Sequence, residues 1–374
     1  MSDLFVYGTL RHVPLLAVVL GREAAAIDMS TAQLSGHVVH SVRGEDFPFL
    51  AEGDGVAEGL LLRGLSDTDV ARLDFYEGGY DYALIPVSVE SEKGAEDAQV
   101  YVSDAVAWVP EGLWSLADWS AAHGIFTVHK AREEMSYFGS RSRDEVDRLL
   151  PTIKARASAK VIAGSQEVLH NPSQLSLSDV RVSKLERPYA SFFSMEEYEL
   201  SFRRYDGTMS DTVKRAVFMG TDAALVLPYD PVRDRVMLVE QFRLGPTARE
   251  DNKPWQLEPI AGRVDGGETP EQTAHREAQE EAGLSLQRLE EVGKCYASPG
   301  GCTEYFHIYL GVADLPDDVV GVSGLEAEAE DIRSYLYSFD EVMDLVDRQA
   351  LDNAPLILAL LWLSRHRERV RAAA

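Results

Sequence analysis

Cysteine is scarce in this chain. Only Cys295 and Cys302 occur in 374 residues, which excludes a disulfide framework and fits a reducing compartment, the cytoplasm. Basic residues are also in deficit. The 36 Lys and Arg stand against 62 Asp and Glu, a formal charge of −26. A general nucleic-acid binder needs a basic footprint, so no nucleic-acid partner is expected. Nucleotides are not excluded, because a bound metal can reverse the local field. The apolar run near the C-terminus, Pro355 to Leu363, is far short of a membrane span and reads as the buried face of a terminal helix. The opening MSDLFVYGTL has no basic flank, so it is not read as a signal peptide, and no membrane partner is expected. Internal repeats and low-complexity tracts are absent too. What is present is globular composition on a chain too long for one ordinary core, so two domains are expected.

Residues 1–112 carry short strand-like segments, LFVYGTL, AEGLLLRGL, YALIPVSVE and AQVYVSD, bounded by Gly, Asp or Pro. The character then changes to helical spacing with few β-branched runs, which predicts a helical connector over residues 113–170. The polar stretch GSQEVLHNPSQLSLSD marks the boundary to a second domain, residues 171–374. Strand-like AALVLPYD and RVMLVEQFRL return there, followed by one clear helix, more strands and terminal helices.

That helix is framed by its own punctuation. Thr269 suits the N-cap, Pro270 the first helical position, Gln272 a capping box and Gly283 the residue past the C-terminus. Glu277 and Glu281 lie four apart on one face, with Glu280 beside them. Like charges at this spacing repel, more so if desolvated, and a divalent cation removes the penalty. Several hard oxygens on a rigid helix, with water in the remaining positions, describe a Mg²⁺ or Mn²⁺ site. Ala274, Ala278 and Ala282 form a small-residue stripe that lets the helix pack close to a sheet.

The stretch GRVDGGETPEQTAHREAQEEAGL resembles the Nudix box, G-x5-E-x7-R-E-U-x-E-E-x-G-U, with U usually a bulky aliphatic residue. One position departs: Ala278 is small where the first U is usually bulky. The resemblance implies a loop–helix–loop that binds metal over a diphosphate. It implies Glu277 and Glu281 as main metal ligands, Glu280 as a further ligand or water-holder, and the carbonyl of Ala261 as another. Gly262 belongs to the same frame, and Arg276 and Glu268 would pair to hold the loop against the helix.

Three further stretches are similar to bacterial ADP-ribose diphosphatases. In ASPGGCTE, Pro299 and Gly300 fall about fifteen residues beyond the box. LVEQFRL carries Arg243, which in that subfamily contacts substrate. GLEAEAEDIRSYLYSFDEV resembles the late acidic loop that supplies a catalytic glutamate, Glu328, and a metal-linked one, Glu330; Glu328 and Glu280 are thus the catalytic candidates. The stretch YASFFSMEEYELSFRRYDG resembles strands exchanged across a homodimer, with an aromatic residue near Phe193 stacking on the partner's adenine. The implied activity is Mg²⁺-dependent hydrolysis of ADP-ribose to AMP and ribose 5-phosphate. The alternatives are another nucleoside diphosphate sugar, a dinucleotide such as NADH, or an ADP-ribose sensor without turnover. The complete box carboxylates weigh against the sensor.

In the first domain FVYGTL runs a strand into a glycine turn, and LDFYEGGYDY places Glu77 before two glycines. The pair resembles the γ-glutamylcyclotransferase-like fold, also called AIG2-like. The resemblance implies that the turn Tyr7, Gly8, Thr9, Leu10 holds a substrate carboxylate, and that Glu77 moves the proton of an attacking α-amino group to give 5-oxoproline. An interaction module with a leftover pocket is the competing reading. Some bacterial proteins of this fused design are associated with tellurite resistance, although no residue here speaks to tellurium. The expected fold is α+β: a γ-glutamylcyclotransferase-like small β-barrel plus a Nudix α/β/α sandwich.

Overall fold

The computed structural model describes residues 2–78, 83–102, 108–324 and 330–373. Two compact units divide the chain, Met1–Gln166 and Glu167–Ala374. Among the described residues no helix is long and apolar enough to cross a membrane.

The first unit is built from β1 (Ser2–Val6), α1 (Val13–Leu20), β2 (Met29–Val42), β3 (Pro48–Leu65), α2 (Asp67–Glu77), β4 (Ala83–Ser91), β5 (Gly94–Val102) and β6 (Pro110–Leu113). The strands run in the order β3-β1-β5-β4-β2-β6, and β2 also pairs with β3, so five strands close into a barrel. Closure removes the open sheet edges that would otherwise invite aggregation. Packing is tight where β3 passes β1: a Cβ on Gly59 would overlap the Phe5 ring and come 2.7 Å from the Val6 carbonyl oxygen. Ser66 and Asp69 form a reciprocal capping box that starts α2 against the barrel.

Three more helices complete this unit: α3 (Leu116–Met135), α4 (Arg143–Asp147) and α5 (Leu150–Ser165). They do not run free between the domains as a connector. Trp119, Val128, Ala131 and Met135 of α3 enter the same core as Leu15, Leu16 and Leu73. α5 is tied to α3 by a buried ion pair, Arg156 Nη2 to Glu133 Oε1 at 2.6 Å, with Nε adding bonds of 3.1 Å to both carboxylate oxygens. A buried pair of this geometry is strongly destabilising to break, by about 3–5 kcal/mol, because the survivor is left as an uncompensated charge.

The second unit opens with a three-stranded sheet, β7 (Val180–Ala190), β8 (Ser194–Phe202) and β9 (Val213–Met219). There follow β10 (Asp222–Asp230), β11 (Arg235–Phe242), α6 (Leu244–Ala248), β12 (Trp255–Glu258), β13 (Ile260–Arg263), α7 (Pro270–Ala282), β14 (Arg288–Tyr296), β15 (Tyr305–Val312), β16 (Val322–Ser323), β17 (Ile332–Ser338), α8 (Phe339–Asp347) and α9 (Ala354–Ala372). The main sheet has the order β14-β15-β10-β11-β17-β16, with β12 on β11 and β13 on β10. β10 and β15 pair in parallel over eight residues, Asp222↔Tyr305 to Tyr229↔Val312. Leu225, Leu227 and Tyr229 of β10 face a core shared with Leu356, Leu360 and Leu363 of α9. The alternate residues Ala224 and Val226 are equally buried on the other face, and α7 packs against β10 and β13. The result is a mixed sheet between helices, the α/β/α arrangement expected from the sequence.

Candidate functional site

Helix α7 carries the first site. Thr269 Oγ1 accepts from the Gln272 N–H at 3.2 Å and Gln272 Oε1 accepts from the Thr269 N–H at 2.8 Å, the capping box read from sequence. Gly283 ends the helix in the left-handed region, φ 62°. Ala274 and Ala278 are fully buried, so the small residue at the box's first bulky position sits where helix meets sheet. Gly262 faces the same helix, and a Cβ on it would overlap the Glu277 carboxylate. Glycine is therefore required there by close approach rather than by a backbone angle.

Arg276 organises the carboxylates. Its Nε and Nη2 donate to the two oxygens of Glu268, both at 3.0 Å. Nη1 reaches Glu277 Oε1 at 2.6 Å and Glu280 Oε2 at 2.9 Å, and Nη2 also donates to the Arg263 carbonyl at 3.2 Å. The hydrogen bond from Arg276 holds the Glu268 carboxyl below its ordinary range. The pair between Glu268 and Arg276 forms, and the two further contacts, to Glu277 and Glu280, are additional to it.

Glu281 behaves differently. It is buried, 2% exposed, and among the described residues it accepts one hydrogen bond, from the Ala261 N–H at 3.2 Å. Burial, with Glu277 and Glu330 adding repulsion, pushes its carboxyl up to about 8. Burial likewise pushes Glu277 up to about 7, against the pull of Arg276. Glu330 is close enough to bear on both groups. It packs on Gly324, where φ is 111° and where any side chain would begin only 2.8 Å from the Glu330 Cβ, so the position admits glycine alone. Glu328 lies outside the described residues.

A buried carboxylate with a single donor and like-charged neighbours is the arrangement a divalent cation relieves. The donor set is all oxygen, so the residues fit a hard cation. Among the described residues no three His, Cys, Asp or Glu side chains already converge into a cage; Arg276 draws Glu277 and Glu280 toward itself.

Around this centre Arg243 is held by residues that no sequence motif announced. It donates from Nε and Nη2 to Glu258 Oε2 at 2.9 and 2.7 Å. Glu258 is buried, and its other oxygen accepts from Asn353 Nδ2 at 3.2 Å. Asn353 also caps α9, its Oδ1 accepting from the Leu356 N–H at 2.9 Å. Glu304, half-buried at the end of the Pro299 turn, has its carboxyl raised by burial and opposed by Arg243. The turn itself is closed by the Cys302 and Gly301 N–H groups on the Ser298 carbonyl, 2.9 and 3.1 Å, which sets Pro299 and Gly300 at its tip. It is clamped to β9: the Phe218 N–H donates to the Gly301 carbonyl at 2.9 Å, and the Thr303 N–H to the Phe218 carbonyl at 3.0 Å. The Phe193 ring packs on Phe218 with centroids 4.8 Å apart. Phe193, Pro299 and Gly300 are thus brought together through β9, and Phe193 keeps about half its surface exposed.

The first unit holds a cavity of about 140 Å³. The turn Tyr7–Leu10 and Glu77 both line it. The N–H groups of Gly8, Thr9 and Leu10 make no hydrogen bond to the described residues, an arrangement that can cradle an anion. Gly8 packs against Pro48, 3.1 Å from where a Cβ would stand. Burial pushes the Glu77 carboxyl up to about 7, with Lys130 and Arg143 opposing and Glu134 adding to the rise.

Residues 219–360 match the NUDIX domain family, and residues 4–120 match the family described as gamma-glutamyl cyclotransferase, AIG2-like. The ADP-ribose pyrophosphatase of Escherichia coli K12 is 38% identical over 200 residues, 54% of this chain and 95% of that protein. The ADP-ribose pyrophosphatase of Haemophilus influenzae is 33% identical over 190 residues, 50% of this chain and 87% of that protein. A GDP-mannose pyrophosphatase of Escherichia coli HS is 27% identical over 173 residues, 46% of this chain and 88% of that protein. With the box residues of α7 gathered on one side of its sheet, the chain belongs to the Nudix hydrolase family, and its Nudix domain is joined to an AIG2-like domain of the gamma-glutamyl cyclotransferase type.

Proposed function

We propose that the second unit hydrolyses ADP-ribose to AMP and ribose 5-phosphate in the presence of Mg²⁺, with Mn²⁺ able to replace it, in the cytoplasm. The observation that carries this reading is the buried Glu281 carboxylate, held at Ala261 beside Glu277 in a domain 38% and 33% identical to two ADP-ribose pyrophosphatases. Glu277, Glu280, Glu281, Glu330 and the Ala261 carbonyl would hold the cation. When bound, it supplies neutralisation of the diphosphate and polarisation of the attacking water. Glu328 takes the water's proton, with Glu280 holding that water in place. Arg243, fixed by Glu258, meets the diphosphate. Phe193 offers the adenine of the partner copy a flat apolar surface, and Pro299 and Gly300 contact substrate from the turn clamped to β9.

Strand β7 exposes Val182, Leu185 and Tyr189, and the turn that leads into β8 exposes Phe192. Such a surface is in keeping with exchange of these strands in a homodimer, where the adenine site is completed by the second copy. Light scattering that finds a fully active monomer at micromolar concentration would refute the dimer.

The test of the reaction is a substrate panel read by phosphate release after added phosphatase, since both products, unlike ADP-ribose, carry phosphomonoesters. A higher kcat/KM for GDP-mannose, UDP-glucose or NADH than for ADP-ribose would overturn the substrate assignment. The relative acting on GDP-mannose favours another nucleoside diphosphate sugar as the second reading.

For the first unit the proposed activity is release of 5-oxoproline from γ-glutamyl compounds. A substrate carboxylate sits on the Gly8–Leu10 amides, and Glu77 is the base for the α-amino group. The cavity that holds both supports this over a module without a ligand. Assay of 5-oxoproline release from γ-glutamyl compounds by the native protein and by Glu77→Gln tests it.

A further inference from the structure

Helices α3, α4 and α5 give the first unit's cavity a charged wall that the barrel does not supply. Lys130 and Glu134 come from α3, Arg143 from α4 and Lys154 from α5, and all four line the cavity. All four lie beyond residues 4–120, which match the AIG2-like family.

Glu134 is the informative residue. Its side chain is 1% exposed, yet its Oε1 has no hydrogen-bond donor among the described residues. The nearest cations are Lys130 Nζ at 3.8 Å and Arg143 Nη2 at 3.9 Å, too long for hydrogen bonds. Arg143 is committed elsewhere, to Asp147 at 2.7 Å and to the Phe75 carbonyl at 3.3 Å. Lys154 makes no ion pair among the described residues, and Lys130 makes none shorter than its contact with Glu134. The wall therefore presents one buried acceptor that lacks a donor, beside two ammonium groups with donors to spare. A buried polar oxygen left in this state is costly, and a bound group that supplies the donor relieves it.

We propose that α3–α5 form a second subsite of this cavity, which accepts an amide N–H at Glu134 Oε1 and a carboxylate at Lys130 and Lys154. A molecule that bears both groups side by side is an N-acyl amino acid. Joined to a γ-glutamyl end on the Gly8–Leu10 amides, it is a γ-glutamyl amino acid or peptide rather than a γ-glutamyl amine. This inference rests on the γ-glutamyl reading of the first unit.

The experiment is calorimetric titration of the full chain carrying Glu77→Gln, which removes the proposed base so that the probes are bound without turnover. The probes are γ-glutamylglycine and L-glutamine, which share the γ-glutamyl end; only the first carries the second carboxylate. γ-Glutamylglycine is expected to bind about tenfold more tightly, the effect of one charge-assisted hydrogen bond. Lys154→Gln should abolish that advantage and leave glutamine affinity unchanged, and Lys154→Arg should keep it. Lys130→Gln, on a different helix, should act in the same direction. Equal affinity for the two probes, or equal weakening of both by Lys154→Gln, overturns the second subsite and leaves the γ-glutamyl reading standing. Failure of both probes to bind overturns the two together.

Discussion

Replacing Glu281 by Gln should make the metal-free protein more stable at alkaline pH and the enzyme inactive. Glu281 is 2% exposed and its carboxyl is raised to about 8 by burial and by neighbouring carboxylates. A carboxyl raised in the folded state binds its proton more tightly there than in the unfolded chain. Its stabilising contribution is complete below the unfolded value near 4.5 and is lost as pH rises through 8. By pH 8 the loss is on the order of 4 kcal/mol, from folded and unfolded values about 3.5 apart at 1.36 kcal/mol per pH unit, less what remains at half-titration. Gln keeps the side-chain oxygen that accepts from the Ala261 N–H but carries no charge to desolvate. Urea unfolding in chelator should therefore show little difference between the two proteins at pH 4.5. At pH 8 the variant should be more stable by up to that amount. Added Mg²⁺ should stabilise the native protein at pH 8 and leave the variant nearly unmoved, and kcat/KM should fall by orders of magnitude. A variant less stable than the native protein in chelator at pH 8, or one with a native response to Mg²⁺, would refute the reasoning.

Gly262→Ala places a methyl group against the Glu277 carboxylate; it should lower ADP-ribose kcat/KM by at least about tenfold while circular dichroism stays native, and unchanged kinetics would remove Gly262 from the frame. Glu258→Gln leaves Arg243 without its charged partner, so KM for ADP-ribose should rise more than kcat falls, and a change in kcat alone would count against a positioning role. Residues 167–374 expressed alone should keep the Nudix activity, whereas a chain cut at 110 should aggregate because Trp119, Val128 and Met135 lose the core they share with Leu15 and Leu73. If the first unit releases 5-oxoproline, its rate should climb with pH through about 7 as Glu77 loses its proton and should be lost in Glu77→Gln; a flat profile would exclude Glu77 as the base.

Helix α7 was legible from sequence because its limits are written locally. Thr269, Pro270, Gln272 and Gly283 each act within one turn of the residue they cap. The strands of the second unit were legible for a similar reason, since AALVLPYD and RVMLVEQFRL are short and apolar and are followed by Pro231 and by Gly245 and Pro246. The helices of residues 116–165 were recognisable as helices, but nothing in their spacing says which core they enter. That choice depends on Leu15 and Leu73, about a hundred and about fifty residues upstream of Trp119. Glu258 and Asn353 meet across 95 residues. One stands in a strand and the other before a helix, and neither position has a pattern that links them. Glu304 could have been found, since it closes the segment that begins with Pro299.

Arg276 has a consequence for how the enzyme answers its surroundings. It lends α7 a resident counter-ion, bonded to Glu268, Glu277 and Glu280 together. If the proposed divalent ion is withdrawn, these bonds should keep the helix in its seat, so that activity would be lost without collapse. An ion arriving there would contend with the guanidinium for oxygens of Glu277 and Glu280, so half-saturation should fall at a higher concentration than the same carboxylates would need without it. Catalysis would then follow free cation as a graded dial, and repeated chelation and readdition should restore full rate with no refolding step.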